Sequence, residues 1–79
     1  MTISEAQGQI LDAAERIKTD GETTHVRLKY GESGWDWGVD FRALDQAWSG
    51  GGAGAHSLEQ TVLDAIAGLH RPTSARLDG

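Results

Sequence analysis

The sequence predicts an α+β domain of order helix, strand, strand, strand, helix (αβββα), with both helices packed on one face of a three-stranded antiparallel sheet. Two observations carry this. Residues 23–41, TTHVRLKYGESGWDWGVDF, hold two strict apolar/polar alternations on either side of a glycine-bearing turn, and the segments before and after the strands place apolar residues at helical spacing.

The first helix is expected over residues 2–19, where Ile3, Ala6, Ile10, Ala13, Ala14 and Ile17 fall on one stripe. Thr2 with Glu5, or Ser4 with Gln7, supplies a capping box at its start, and Arg16 and Lys18 suit the negative end of the helix dipole. Asp20-Gly21 stops it, Gly21 being able to take the left-handed conformation of a C-cap.

In the hairpin, Thr24, Val26, Leu28 and Tyr30 share one side of the first strand, and Trp35, Trp37, Val39 and Phe41 share the matching side of the second. Apolar must oppose apolar, which restricts the register. A four-residue loop, Gly31 to Gly34, sets Tyr30 opposite Trp35, Leu28 opposite Trp37 and Val26 opposite Val39. Trp35 and Trp37 are therefore expected in the core. On the other face His25, Arg27 and Lys29 meet Asp36, Gly38 and Asp40, with Lys29 opposite Asp36 and His25 pairing with Asp40.

Residues 42–49, RALDQAWS, read as a third strand with Leu44, Gln46 and Trp48 on one face, because a two-stranded ribbon needs further pairing to be stable. A short helix capped by Asp40 and ended by Gly50 is the alternative. Residues 49–55, SGGGAGA, read as a flexible connector. The last helix begins at Ser57, with Gln60 completing a capping box, and carries Leu58, Val62, Ala65, Ile66 and Leu69 as its stripe until Pro72 ends it. A single domain over 1–70 followed by a flexible tail, 71–79, is expected.

At 79 residues the chain buries only roughly 60 to 65% of its unfolded surface, leaving little core to spare for an elaborate active site. Cysteine is absent, so neither disulfides nor a thiolate zinc site supplement that core. Twelve acidic against seven basic residues give a formal charge of −5, which repels phosphate backbones and anionic membranes and favours basic partners. No apolar run approaches the roughly 20 residues that span a bilayer, and no basic segment followed by an apolar one opens the chain. A cytoplasmic protein is expected.

Few residues suggest catalysis. The glycine-rich segment running into a helix start is the feature most like a phosphate cradle, but it lacks the Walker lysine, and Ser57 stands where a dinucleotide fingerprint needs glycine. His25, His56 and His70 have no metal-site spacing. His70 suits a helix C-terminus, where positive charge is favourable. Asp36 and Asp40 lie four apart on one strand face, yet an acid/base pair needs a cleft and shifted pKa values. No Gly-x-Ser-x-Gly surrounds any serine. The chain is read as a non-enzyme without cofactor or metal. Trp and Tyr are frequent binding anchors, and Trp48, beside the glycines, is expected to be the exposed one.

The element order is similar to that of the double-stranded RNA-binding domain, whose last helix starts with a phosphate-gripping lysine cluster. Here that position reads His56-Ser57-Leu58-Glu59-Gln60, so direct nucleic-acid binding is not expected. A second likeness is local. Ser33-Gly34-Trp35-Asp36-Trp37-Gly38-Val39-Asp40 resembles a Gly-Trp-x-Trp-Gly-aliphatic-Asp segment of the phage-encoded type I-F anti-CRISPR proteins. That resemblance implies a protein that binds a Cas effector complex and blocks target DNA binding without catalysis.

The expected function is thus that of a small acidic inhibitor whose partner offers a basic groove, with Glu32, Asp36, Asp40, Asp45 and Trp48 as the partner-binding residues. The alternative is a structural or interaction module of phage or bacterial origin that self-associates as a homodimer through an exposed edge strand.

Overall fold

A computed structural model describes residues 1–69 of the chain. Helix α1 (Ile3–Ile17) opens on a complete capping box: the Glu5 N–H donates to Thr2 Oγ1 at 3.1 Å and the Thr2 N–H donates to Glu5 Oε1 at 2.8 Å. It ends in an extended Lys18 rather than at a glycine cap. Gly21 does take a positive φ, of 85°, but in a separate turn closed by the Glu22 N–H on the Thr19 carbonyl at 3.1 Å.

Strands β1 (Thr23–Gly31) and β2 (Gly34–Arg42) pair antiparallel in the expected register, Val26 against Val39, Leu28 against Trp37 and Tyr30 against Trp35. The connection is tighter than the expected four-residue loop. Gly31 and Gly34 are themselves paired, so only Glu32 and Ser33 turn, and Gly34 carries the positive φ of 112°.

The third strand lies elsewhere than expected. β3 (Ala47–Ala55) consists of the glycine-rich segment itself, paired antiparallel with β2, while Ala43 to Gln46 form a turn closed by the Ala43 N–H on the Gln46 carbonyl at 2.9 Å. Leu44, expected on a strand face with Gln46 and Trp48, is fully exposed in that turn. Glycine has poor strand propensity, but its lack of a side chain is what the neighbours require. A Cβ on Gly52 would lie 2.7 Å from Trp37 Nε1, and one on Gly50 would lie 2.7 Å from the Trp48 ring. The two indoles lie over bare backbone.

Strand order is β1-β2-β3, and α1 and α2 (Leu58–Gly68) cover the same face, α1 over β1 and α2 over β3 and β2. Ser57 caps α2, its hydroxyl accepting from the Gln60 N–H at 3.0 Å, but the Gln60 side chain turns to Asp64 instead of completing a box. The stripe of α2 is rotated from the expected one: Thr61 is buried and donates to the Ser57 carbonyl at 2.7 Å, whereas Ile66 is exposed.

The core between the layers holds Ala6, Ile10 and Ala14 of α1, Trp37, Val39 and Phe41 of β2, and Val62, Ala65 and Leu69. Each large side chain there contributes on the order of 1.5–3 kcal/mol through burial. Trp35 does not reach it. That ring is half-buried beside the exposed Tyr30, with centroids 5.0 Å apart, at the hairpin tip. The tail expected over 71–79, and the roles of His70 and Pro72, lie outside the described residues.

Candidate functional site

Two helices on one face leave the other face of the sheet uncovered among the described residues. Strand alternation fills it with His25, Arg27 and Lys29 from β1, Asp36, Gly38, Asp40 and Arg42 from β2, and Ala47, Ser49 and Gly51 from β3. Gly38 pairs with Gly51, so two adjacent strands are bare at the same level. A shallow groove of about 400 Å³ results, bordered by Arg27, Asp36, Ser49 and Ala53. A second depression of about 240 Å³ extends it towards Lys29. Between the Trp35 and Trp37 pairings β3 carries a bulge, where Ala53 and Gly54 stand against Asp36 alone, and Gly54 has a φ of 92°.

The two carboxylates of this face differ in surroundings. Asp40 is only 14% exposed; Ser49 Oγ donates to its Oδ1 at 2.7 Å and the Arg27 guanidinium donates to the same oxygen at 3.4 Å. The Ser49 hydroxyl holds the Asp40 carboxyl below the usual aspartate range, helped by the charges of Arg27 and Arg42 and opposed by partial burial. Asp36 has no such support. Its Oδ1 is enclosed without a hydrogen-bond partner, and although Lys29 stands opposite, no ion pair to Asp36 forms among the described residues.

Of the five expected partner-binding residues, the fold brings only Asp36 and Asp40 onto one surface. Glu32 lies in the β1–β2 turn and Asp45 in the β2–β3 turn, at opposite ends of the sheet. Trp48 is not an exposed anchor. It is half-buried on the covered face with its ring 5.3 Å from that of Phe41. His25 stands opposite Asp40, but Arg27 and Ser49 make the bonds.

Arg27, Gly38, Ser49 and Gly51 complete the groove and were missed as site residues. The hairpin register already set Arg27 across from Gly38, a signal that something long lies over something absent; a Cβ on Gly38 would lie 2.6 Å from the Arg27 guanidinium. Ser49 and Gly51 gave no such signal while their segment was read as a connector.

Comparisons of the chain with protein-family models, curated proteins and solved structures returned no match. Function must be argued from the surface itself. Among the described residues no group of three or more His, Cys, Asp or Glu is placed to hold a metal ion, and no helix is long and apolar enough to cross a membrane.

Charge is unevenly divided over that surface. The open sheet face carries Arg27, Lys29 and Arg42 against Asp36 and Asp40 and is nearly balanced. Elsewhere in the described chain Arg16 and Lys18 are the only basic side chains besides histidine, against Glu5, Asp12, Glu15, Asp20, Glu22, Glu32, Asp45, Glu59 and Asp64. Both basic residues lie in ion pairs, Arg16 with Asp12 at 3.1 Å and Lys18 with Glu15 at 2.9 Å. The helices and turns are the acidic part of the molecule.

Proposed function

We propose that the chain is a small non-catalytic inhibitor that binds a larger protein, its acidic helices and turns occupying a basic groove on that partner. The partition of charge supports this reading. Among the described residues the basic side chains outside the sheet, Arg16 and Lys18, are already neutralised by neighbouring carboxylates, and the acidic side presents a one-signed field that steers the chain towards a positive channel and competes with nucleic acid for it. The resemblance at residues 33–40 makes a Cas effector complex the concrete partner, and blocked target DNA binding the consequence.

The test is a pull-down of purified type I-F Cas complexes with the chain, combined with an interference assay in cells expressing it. Co-elution and loss of interference are expected, and undisturbed interference with no recovered complex would sink the reading. Reversal of the exposed carboxylates Asp12 and Asp64 to lysine should slow association and flatten its salt dependence.

Self-association is the second reading, and one observation favours it: β3 is a nine-residue edge strand without a charged residue. Sedimentation over a concentration series separates the two, since a dimer at micromolar concentration supports the second and a monomer that binds the Cas complex supports the first.

A further inference from the structure

The two edges of the sheet are unlike. β1 carries His25, Arg27 and Lys29 along its outward face, the kind of charged edge that discourages strand addition, whereas β3 reads AWSGGGAGA and has neither a charge nor a proline. Among the described residues β3 has β2 on one side and no strand on the other, so alternate residues direct N–H and C=O groups away from the sheet. Beside that edge, on the open face, lies the groove over Gly38 and Gly51.

We propose that β3 accepts an extended segment of a protein partner as a fourth strand, and that an Arg or Lys of this segment lies across Gly51 and Gly38 to pair with Asp36. This rests on reading the chain as a protein-binding module and names the place and chemistry of one contact. An added strand runs about 10 Å from β2, two strand spacings, and its residue opposite Gly51 points onto the open face. Glycine at 51 leaves the β3 end of that path free of side chains, and at Gly38 the path runs beside the Arg27 guanidinium, which lies over that glycine and must swing aside. At its end Asp36 holds a carboxylate oxygen with no hydrogen-bond partner, while the neighbouring Asp40 is already bonded by Ser49 and Arg27. A cationic side chain that parts the groups enclosing this oxygen satisfies Asp36, whereas Asp40 needs none.

The same geometry disfavours a second copy as occupant. A copy pairing through its own β3 would set glycine, serine and alanine against glycine, serine and alanine, leaving the groove empty and Asp36 unpaired. Strand addition by a long cationic residue fills both.

The experiment uses the isotopically labelled full chain and synthetic nine-residue peptides of alternating Thr and Val, with Arg, Glu or Ala at the central position. The Arg peptide should shift amide resonances of β3 and of residues 36–40. Binding should weaken about tenfold with the Glu peptide and with the Asp36→Asn variant, while Asp45→Asn, in the distant turn, binds normally. Equal response to all three peptides, shifts confined to β1 or the helices, no shift at all, or a β3-paired dimer of the chain alone would each overturn the proposal. Asp36→Asn keeps the side chain's size, and a dispersed amide spectrum checks that it is folded. Since the peptides contain no Cas component, their result stands or falls separately from the Cas pull-down.

Discussion

On the covered face of the sheet glycine makes room for protein, and on the open face it makes room for something else. Gly50 and Gly52 lie under the rings of Trp48 and Trp37, where an added methyl group would strike an indole held on its other side by the helix layer. Gly38 and Gly51 are paired on the opposite face, where Gly38 has only the mobile end of Arg27 above it. The same residue type thus lies under indoles at 50 and 52 and under a side chain free to swing aside at 38, while at 51 an added Cβ would lie 2.6 Å from the Trp37 carbonyl oxygen. A glycine-rich stretch is therefore not evidence of a linker when aromatic residues of matching parity stand on the adjacent strand.

The largest effect should come from emptying the covered face. Trp37→Ala removes a ring that is 8% exposed and is expected to cost about 3–5 kcal/mol in chemical denaturation, enough to unfold much of so small a domain. Gly52→Ala tests the same contact from the other side. Its methyl must displace the Trp37 ring, and a loss of about 1–3 kcal/mol is expected in the same measurement.

A smaller and pH-dependent effect belongs to the open face. Because the folded-state pKa of Asp40 is lowered, its stabilising contribution is fully present above the unfolded value of about 3.9 and is lost as pH falls through the lowered value. Ser49→Ala removes the largest cause of that lowering. It should cost about 1 kcal/mol at neutral pH and make the loss of stability on acidification shallower, read as denaturation midpoints between neutral pH and about pH 2. Glu15, whose carboxyl is lowered first by the Thr24 hydroxyl and then by Lys18, keeps its own acid dependence in this variant.

The smallest effect is expected at Gly38→Ala. The guanidinium of Arg27 swings aside and stability stays within about 0.5 kcal/mol of the parent. A cost as large as that at Gly52 would mean that the two faces use glycine for the same reason and would remove the contrast.

Much of the fold was legible in the chain. The parity of Val26, Leu28 and Tyr30 against Trp35, Trp37 and Val39 leaves one register, and Thr2 and Ser57 mark helix starts through local hydrogen bonds that need no knowledge of the rest. β3 was displaced because its strand character is tertiary. Nothing within SGGGAGA favours extension, and only the indoles that lie on it explain why larger residues are excluded. The candidate site was half legible for the same reason. Asp36 and Asp40 follow from the hairpin, while Ser49 and Gly51 come from the misplaced strand, and the scatter of Glu32, Asp45 and Trp48 reflects turns and a face that charge counting does not see.

The three large strand side chains enclosed in the core, Trp37, Val39 and Phe41, belong to β2. For a chain emerging from the ribosome this sets a waiting time: α1 and β1 come out first, with only the partly buried Val26 and Leu28 to offer α1 until β2 follows. The layer is closed only when α2 brings Val62, Ala65 and Leu69. Folding during synthesis should therefore arrive as one late event, with no stable N-terminal half exposed to proteases along the way.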